Sequence, residues 1–226
     1  MTKRVRRNSV LLGVIIGLLL LVFMTALAVG LLLSNNLLYR LDMALLDIPE
    51  TSGLPEEVIL RNYNAVKNYL SPFSNDDFVM PDLPASVEGV NHFGDAKAVI
   101  NALYIAGGVS LVLIVLLMLV FRKRMGVKTL RSAAVTSFLV PLAAGTAALA
   151  DFDSFFVIFH EIFFRNDDWL FDPFTDPVIN ILPIEYFLHC AITIAIMWLL
   201  GSLFFFILSV RRKRREQNRA EFVPRY

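Results

Sequence analysis

Cysteine is almost missing from this chain, and histidine is scarce: one Cys and three His among 226 residues. A single Cys190 excludes an internal disulfide and any multi-cysteine metal centre. It falls early in an apolar run, where a small buried thiol is the commoner role. His189 beside it would point about 100° away around a helix, so the two do not face each other as nucleophile and base. Also missing are a GxSxG elbow, an HExxH pair and a phosphate-binding glycine loop, the marks of serine hydrolases, zinc proteases and nucleotide enzymes. His160-Glu161 is too short a fragment of the zinc signature to count. Finally, residues 100–121 and 132–150 hold no Asp, Glu, Lys, Arg or His. Transport paths and proton relays need such groups at membrane depth, which argues against a transporter or pump.

What the chain has in abundance is apolar surface: 57% hydrophobic residues and a mean hydropathy of +0.63. Four apolar runs, 10–33, 98–121, 132–150 and 184–210, can each cross a hydrocarbon core of ~30 Å at ~1.5 Å per residue. The expected fold class is therefore an all-α membrane protein with four transmembrane helices and a small extracellular cap. Net charge is only +1, yet its distribution is uneven. Lys3, Arg4, Arg6 and Arg7 precede the first run, and Arg122, Lys123, Arg124, Lys128 and Arg131 lie between the second and third. Arg211, Arg212, Lys213, Arg214, Arg215, Arg219 and Arg225 follow the fourth. Segments 34–97 and 151–183 carry most of the acids. The positive-inside rule then puts both termini in the cytoplasm and the two acidic segments outside. Basic residues beside spans set orientation and touch anionic lipid, so no nucleic-acid partner is expected. Residues 1–9 resemble the start of a secretory signal, with Ala26-Leu27-Ala28 as a possible cleavage site, but the apolar run continues to Leu33 and reads as a retained anchor.

The chain divides accordingly into an N-terminus and first span (1–33), a cap (34–97), a second span (98–121), a cytoplasmic loop (122–131) and a third span (132–150). An aromatic interfacial segment (151–183), a fourth span (184–210) and a basic tail (211–226) complete it. Prolines 49, 55, 72, 81 and 84 cut the cap into short pieces, leaving one convincing helix over 55–70. Proline suits its first turn, Glu56 and Glu57 favour the positive end of its dipole, and Ser71-Pro72 stops it. Ile59, Tyr63, Val66 and Leu70 form its apolar face. Such a cap is too poor in apolar surface to fold alone, and is expected to lean on the outer ends of the spans.

Two places carry candidate chemistry. If the second helix starts early, His92 and Asp95 share a face at its outer end, although polar residues there also suit a helix cap. In the interfacial segment, nine of the residues 152–174 are Phe or Trp, the residues that favour a boundary with one apolar and one wet side. Read as a helix, Phe155, Phe156, Phe159, Phe163 and Phe164 form one face, with His160 at its border. An interfacial anchor helix with one tolerated polar residue explains this equally well. His189, about a turn inside the last span, reads as a histidine bonded to a neighbouring helix. If the cap folds onto the bundle, His92 and His160 meet across a pocket walled by Phe156, Phe159, Phe163, Phe164 and Trp169. Two imidazoles near neutral pKa suit general base and acid work. A metal site of His92, Asp95, His160 and Glu161, or an envelope scaffold with an aromatic docking cap, remains open on spacing alone.

The stretch Asn91-His92-x-x-Asp95-x-Lys97, followed by Phe159-His160-x-x-Phe163-Phe164-x-Asn166-x-x-Trp169-x-x-Asp172-Pro173-x-x-Asp176-Pro177, resembles the lipoprotein intramolecular transacylase (Lit) family of integral membrane proteins. The resemblance covers nearly the whole chain, with Phe93 and Ala96 standing where aliphatic residues are expected. It implies a bacterial plasma-membrane acyltransferase, working at the extracellular face on diacylglyceryl lipoproteins among membrane lipids. The enzyme moves the sn-2 acyl chain onto the α-amino group of the N-terminal cysteine, leaving a lyso-form lipoprotein. His92 and His160 fall on the family's catalytic histidines. Aminolysis of an ester is downhill, so neither a cofactor nor a metal is expected, and a monomer is expected to suffice. Proximity in sequence makes Asp95 and Glu161 candidates for orienting the histidines, and Lys97 and Arg165 for stabilising charge.

Overall fold

A computed structural model describes residues 3–221, with side-chain surroundings for 9–218. The side chains of Lys3, Arg4, Arg6, Arg7 and Arg219, and the whole of Arg225, lie outside the described residues. The described residues form helices and no strand: α1 (Lys3–Ser34), α2 (Leu37–Leu45), α3 (Ile48–Ser52), α4 (Glu56–Leu70), α5 (Val87–Val120), α6 (Val127–Ala150), α7 (Phe152–Phe163), α8 (Val178–Ile181) and α9 (Ile184–Glu221). A single 3₁₀ turn, Arg122–Arg124, joins α5 to α6. Four helices are long and apolar enough to cross a membrane, over Ser9–Ser34, Val87–Val120, Val127–Ala150 and Ile184–Asn218. This is the all-helical, four-span class expected from the apolar runs.

The chain forms two compact units, and each long helix contributes residues to both. One unit comprises Met1–Ala26, Ala106–Thr146 and Ile194–Tyr226. Its core joins Leu12, Ile16 and Leu20 of α1 to Ile114 of α5, Leu130 and Ala133 of α6, and Phe205 of α9. Small residues let α1 and α6 approach closely: a Cβ on Gly13 would lie 2.3 Å from Ser132 Oγ, and one on Gly17 2.8 Å from the Ala133 carbonyl. Such small-residue contacts are how helices pack where lipid supplies no hydrophobic drive between them. Ser202 Oγ–H donates to the Ala134 carbonyl at 2.8 Å, satisfying a buried hydroxyl inside the apolar core.

The other unit comprises Leu27–Ile105 and Ala147–Thr193 and holds every residue of the candidate site. α4 begins one residue after Pro55, which serves as its extended N-cap, and it buries Ile59, Asn62, Tyr63 and Val66. The cap holds two further helices, α2 and α3, that its prolines and scarce aliphatic residues concealed. α2 buries Tyr39 and Met43, and α3 starts from a left-handed Asp47 and ends at a left-handed Gly53. Three tyrosines join the aliphatic residues Ile48, Ile59, Val66, Val178 and Ile181 in the core of this unit. Tyr39 stacks on Tyr63 with centroids 3.6 Å apart, its hydroxyl donates to the Ile181 carbonyl at 2.7 Å, and Tyr63 and Tyr186 share a hydroxyl bond of 3.0 Å. Tyr186 and Phe93, near the starts of α9 and α5, belong to this same core. The cap therefore leans on span residues, as its composition demands.

α5 does start early, so the segment Asn91 to Lys97 is helical. Ser86 caps it, its Oγ accepting from Gly89 N–H at 2.9 Å and its carbonyl from Val90 N–H at 3.0 Å. α7 follows α6 after the single residue Asp151, which caps it by accepting from Ser154 N–H at 3.0 Å. α7 stops at Phe163; Phe164 is extended (φ −118, ψ 130) rather than the last member of a helical face.

Candidate active site

His92 projects from the second turn of α5 and His160 from the last turn of α7. Their ring centroids are 5.7 Å apart with planes inclined at 31°. Both are buried, with 9% and 7% of their surface exposed. Aromatic rings line both. His160 lies against Phe156 (4.1 Å), Trp169 (4.7 Å), Phe164 (5.4 Å) and Phe159 (5.5 Å). His92 lies against Phe164 (4.8 Å) and Phe171 (5.4 Å). Phe164 touches both rings, which its extended backbone allows.

The two imidazoles are prepared differently. His160 Nδ1 lies 2.7 Å from the Phe156 carbonyl, one helical turn back. A carbonyl only accepts, so Nδ1 carries the hydrogen and the neutral ring keeps its lone pair at Nε2. Burial holds the His160 pKa below the ordinary imidazole value, and the bond to Phe156 opposes that shift without reversing it. His92 Nδ1 is buried and has no hydrogen-bond partner among the described residues. An unmet polar atom in an aromatic box carries a desolvation cost that a bound polar group would remove.

The remaining sequence candidates separate. Phe156, Phe159, Phe164 and Trp169 line the pair, whereas Phe163 packs on Phe159 (4.7 Å) and is half exposed. Asp95 Oδ2 accepts from Asn166 Nδ2 at 2.9 Å rather than from an imidazole. Lys97 lies over the Tyr69 ring at 3.9 Å and donates to the Asp76 carbonyl at 3.3 Å. Glu161 and Arg165 are exposed and bond to neither histidine. Among the described residues no three His, Cys, Asp or Glu side chains converge as a metal site. Sequence reasoning missed Phe171 as a wall residue, and Asn166 and Asp176 as anchors. Helical periodicity has no purchase on a segment that is not helical.

The third histidine sits in the same unit, paired with a carboxylate. His189 Nδ1 lies 2.7 Å from Asp42 Oδ1, and that carboxylate is 3% exposed at its side chain. This is the inter-helix bond expected of His189, with Asp42 as the partner the sequence left unnamed.

Three solved structures share the fold and all are of one protein. The chain superposes on the membrane-integral lipoprotein intramolecular transacylase Lit from Bacillus cereus with a TM-score of 0.85 at 27% identity, over 93% of this chain and 98% of that one. Two variants of the same protein, with one histidine replaced by arginine or by alanine, each match with a TM-score of 0.81. They too are 27% identical and cover 93% of this chain, with 94% and 96% of theirs matched. No curated protein sequence matches it. A sequence model of the lipoprotein intramolecular transacylase Lit matches residues 14–187, and this chain belongs to the Lit family of lipoprotein intramolecular transacylases.

Proposed function

We propose that the chain moves the sn-2 acyl chain of a diacylglyceryl-cysteine lipoprotein onto the cysteine α-amino group, with His92 and His160 sharing the proton transfers. The observation that carries this reading is the pair itself: two buried imidazoles 5.7 Å apart with no carboxylate bonded to either among the described residues. An amine attacks only as the free base, and an α-amino pKa of ~7.7–8 leaves most of it protonated at neutral pH. His160 Nε2, kept unprotonated by the Nδ1 bond to Phe156, suits the base. The nitrogen attacks the ester carbonyl, a C–N bond forms, and the tetrahedral intermediate breaks its C–O bond. As the C–N bond forms from the free amine, His160 takes the one proton its nitrogen sheds, and that proton passes by way of His92 to the departing glyceryl oxygen, so both rings end neutral as they began. Ester and amine have become amide and alcohol, with no other reactant consumed.

The aromatic walls support the same reading. Holding amine and ester of one molecule together can reach effective molarities of ~10⁵–10⁸ M. Excluding water disfavours the competing hydrolysis. Both histidines come from one chain, which suits a monomer. The uneven charge supports a bacterial plasma-membrane enzyme with cytoplasmic termini and its histidines at the extracellular face, where lipoprotein substrate and membrane lipids meet.

The test is mass spectrometry of a diacylglyceryl lipopeptide after incubation with purified protein. Unchanged mass with a newly acylated α-amine is the expected result. Loss of one acyl chain would mean hydrolysis instead. No change in either would leave the docking-scaffold reading.

A further inference from the structure

The segment between Phe164 and Pro177 contains the wall residues Phe164, Trp169 and Phe171, yet it has no helix to hold it. It is tied to α5 at two places that straddle His92. At one end Asn166 Nδ2 donates to Asp95 Oδ2 at 2.9 Å, while its carbonyl accepts from Trp169 Nε1 at 3.1 Å. Asn166 thus joins α5 to the indole that covers His160. At the other end Asp176, only 3% exposed, accepts from Ser86 N–H through Oδ1 at 2.8 Å and from Thr175 Oγ–H through Oδ2 at 2.8 Å. Gly89 leaves the room: a Cβ there would sit 2.2 Å from Asp176 Oδ1. A glycine in a helix interior costs ~0.5–1 kcal/mol relative to alanine, so its presence here marks a close approach.

We propose that Asn166 and Asp176 are positioning residues, the two ends of a strap that sets the register between His92 and His160. This rests on those histidines being the working pair. The strap presses Trp169 and Phe164 onto the rings and fixes where the first turns of α5 stand relative to the end of α7. Neither residue touches the reacting atoms. Each acts through what it holds, and the electrostatic logic is specific: a neutral amide against a carboxylate at one end, a carboxylate against backbone N–H at the other.

The test exchanges the two groups of the first tie. Asn166→Asp sets a second carboxylate against Asp95, and like charges in contact repel. Combining it with Asp95→Asn restores one N–H···O bond in reverse. For the Asn166→Asp protein in nanodiscs, kcat on a diacylglyceryl lipopeptide falls about tenfold or more, since a displacement of ~1 Å can cost ~10²-fold, while KM changes little. The exchanged pair regains most of the loss. At the second tie Asp176→Ala is slow, and Asp176→Asn retains most of kcat because its amide oxygen still accepts from Ser86. A second readout needs no turnover. With Trp198→Phe leaving Trp169 as the lone indole, protonating His160 in acid quenches its emission through their contact. Asn166→Asp abolishes that quenching and the exchanged pair restores it. An exchanged pair that stays slow and unquenched while folded, or an Asn166→Asp protein with full rate and quenching, would overturn the strap. If the wild-type chain forms no amide, the transacylase reading falls, and the quenching series still decides whether the strap holds.

Discussion

His160 and His189 lie in one compact unit and illustrate opposite uses of an imidazole. His189 is bonded through Nδ1 to a buried carboxylate, Asp42, on another helix. His160 is bonded through Nδ1 only to a carbonyl on its own helix, and the ring nearest to it with a free nitrogen is His92. A side-chain bond to a carboxylate on another helix makes a fastener between helices. A carbonyl fixes the tautomer without adding charge, and leaves the lone pair of the neutral ring at Nε2. The sequence already reads His189 as an inter-helix bond; the structure adds Asp42 as its partner and the Phe156 carbonyl as that of His160.

The largest effects should fall where the comparison is sharpest. His92→Ala and His160→Ala each lower the rate of amide formation by ~10²–10⁴-fold, the usual worth of a positioned acid or base, with thermal stability nearly unchanged. The opposite pattern is expected at the other pair. His189→Ala leaves a buried Asp42 without its partner and destabilises the fold, by less than the ~3–5 kcal/mol of a fully buried pair because His189 is partly exposed. The rate per folded molecule holds, as thermal unfolding alongside active-site-normalised kinetics will show.

Wall substitutions separate contact from proximity. Phe164→Ala removes the ring that touches both histidines and lowers kcat substantially, whereas Phe163→Ala, half exposed and clear of both, changes it less. Parallel kinetics on the two variants check the order. The pH dependence is subtler. His160 takes its proton below the usual imidazole value of ~6.5. In that interval the unfolded chain binds more protons than the folded one. Stability contributed by neutral His160 is therefore present above the unfolded pKa and lost as pH falls through the lowered one. A ¹⁵N titration of His160 that shows protonation above the ordinary value would reverse this account. The smallest effect is expected from strong chelators, which should leave turnover unchanged when metal content and rate are followed together.

Much of this architecture could be read from residue order. The apolar runs mark four span-length helices, Pro55 with Glu56 and Glu57 marks the start of α4, and the aromatic density marks where α7 lies. Other parts resisted for physical reasons. α2 and α3 are short, and Tyr39 of α2 finds its ring partners, Tyr63 and Tyr186, in distant segments. Lys97 and Glu161 stand close to a histidine in sequence but point elsewhere, because a helix turns about 100° per residue. Arg165 follows an extended Phe164, so helical spacing misplaces it. The strap ties join residues as far apart as Ser86 and Asp176, a pairing that no local pattern announces.

The central claim is that two imidazoles work as one unit, and single-turnover rates of His92→Ala, His160→Ala and the double variant test it directly. Groups that share a proton relay are grossly non-additive, so the double variant should be about as slow as the slower single one. A double variant slower by the product of the two separate losses would mean that the histidines act independently, and the shared proton transfer would have to be abandoned.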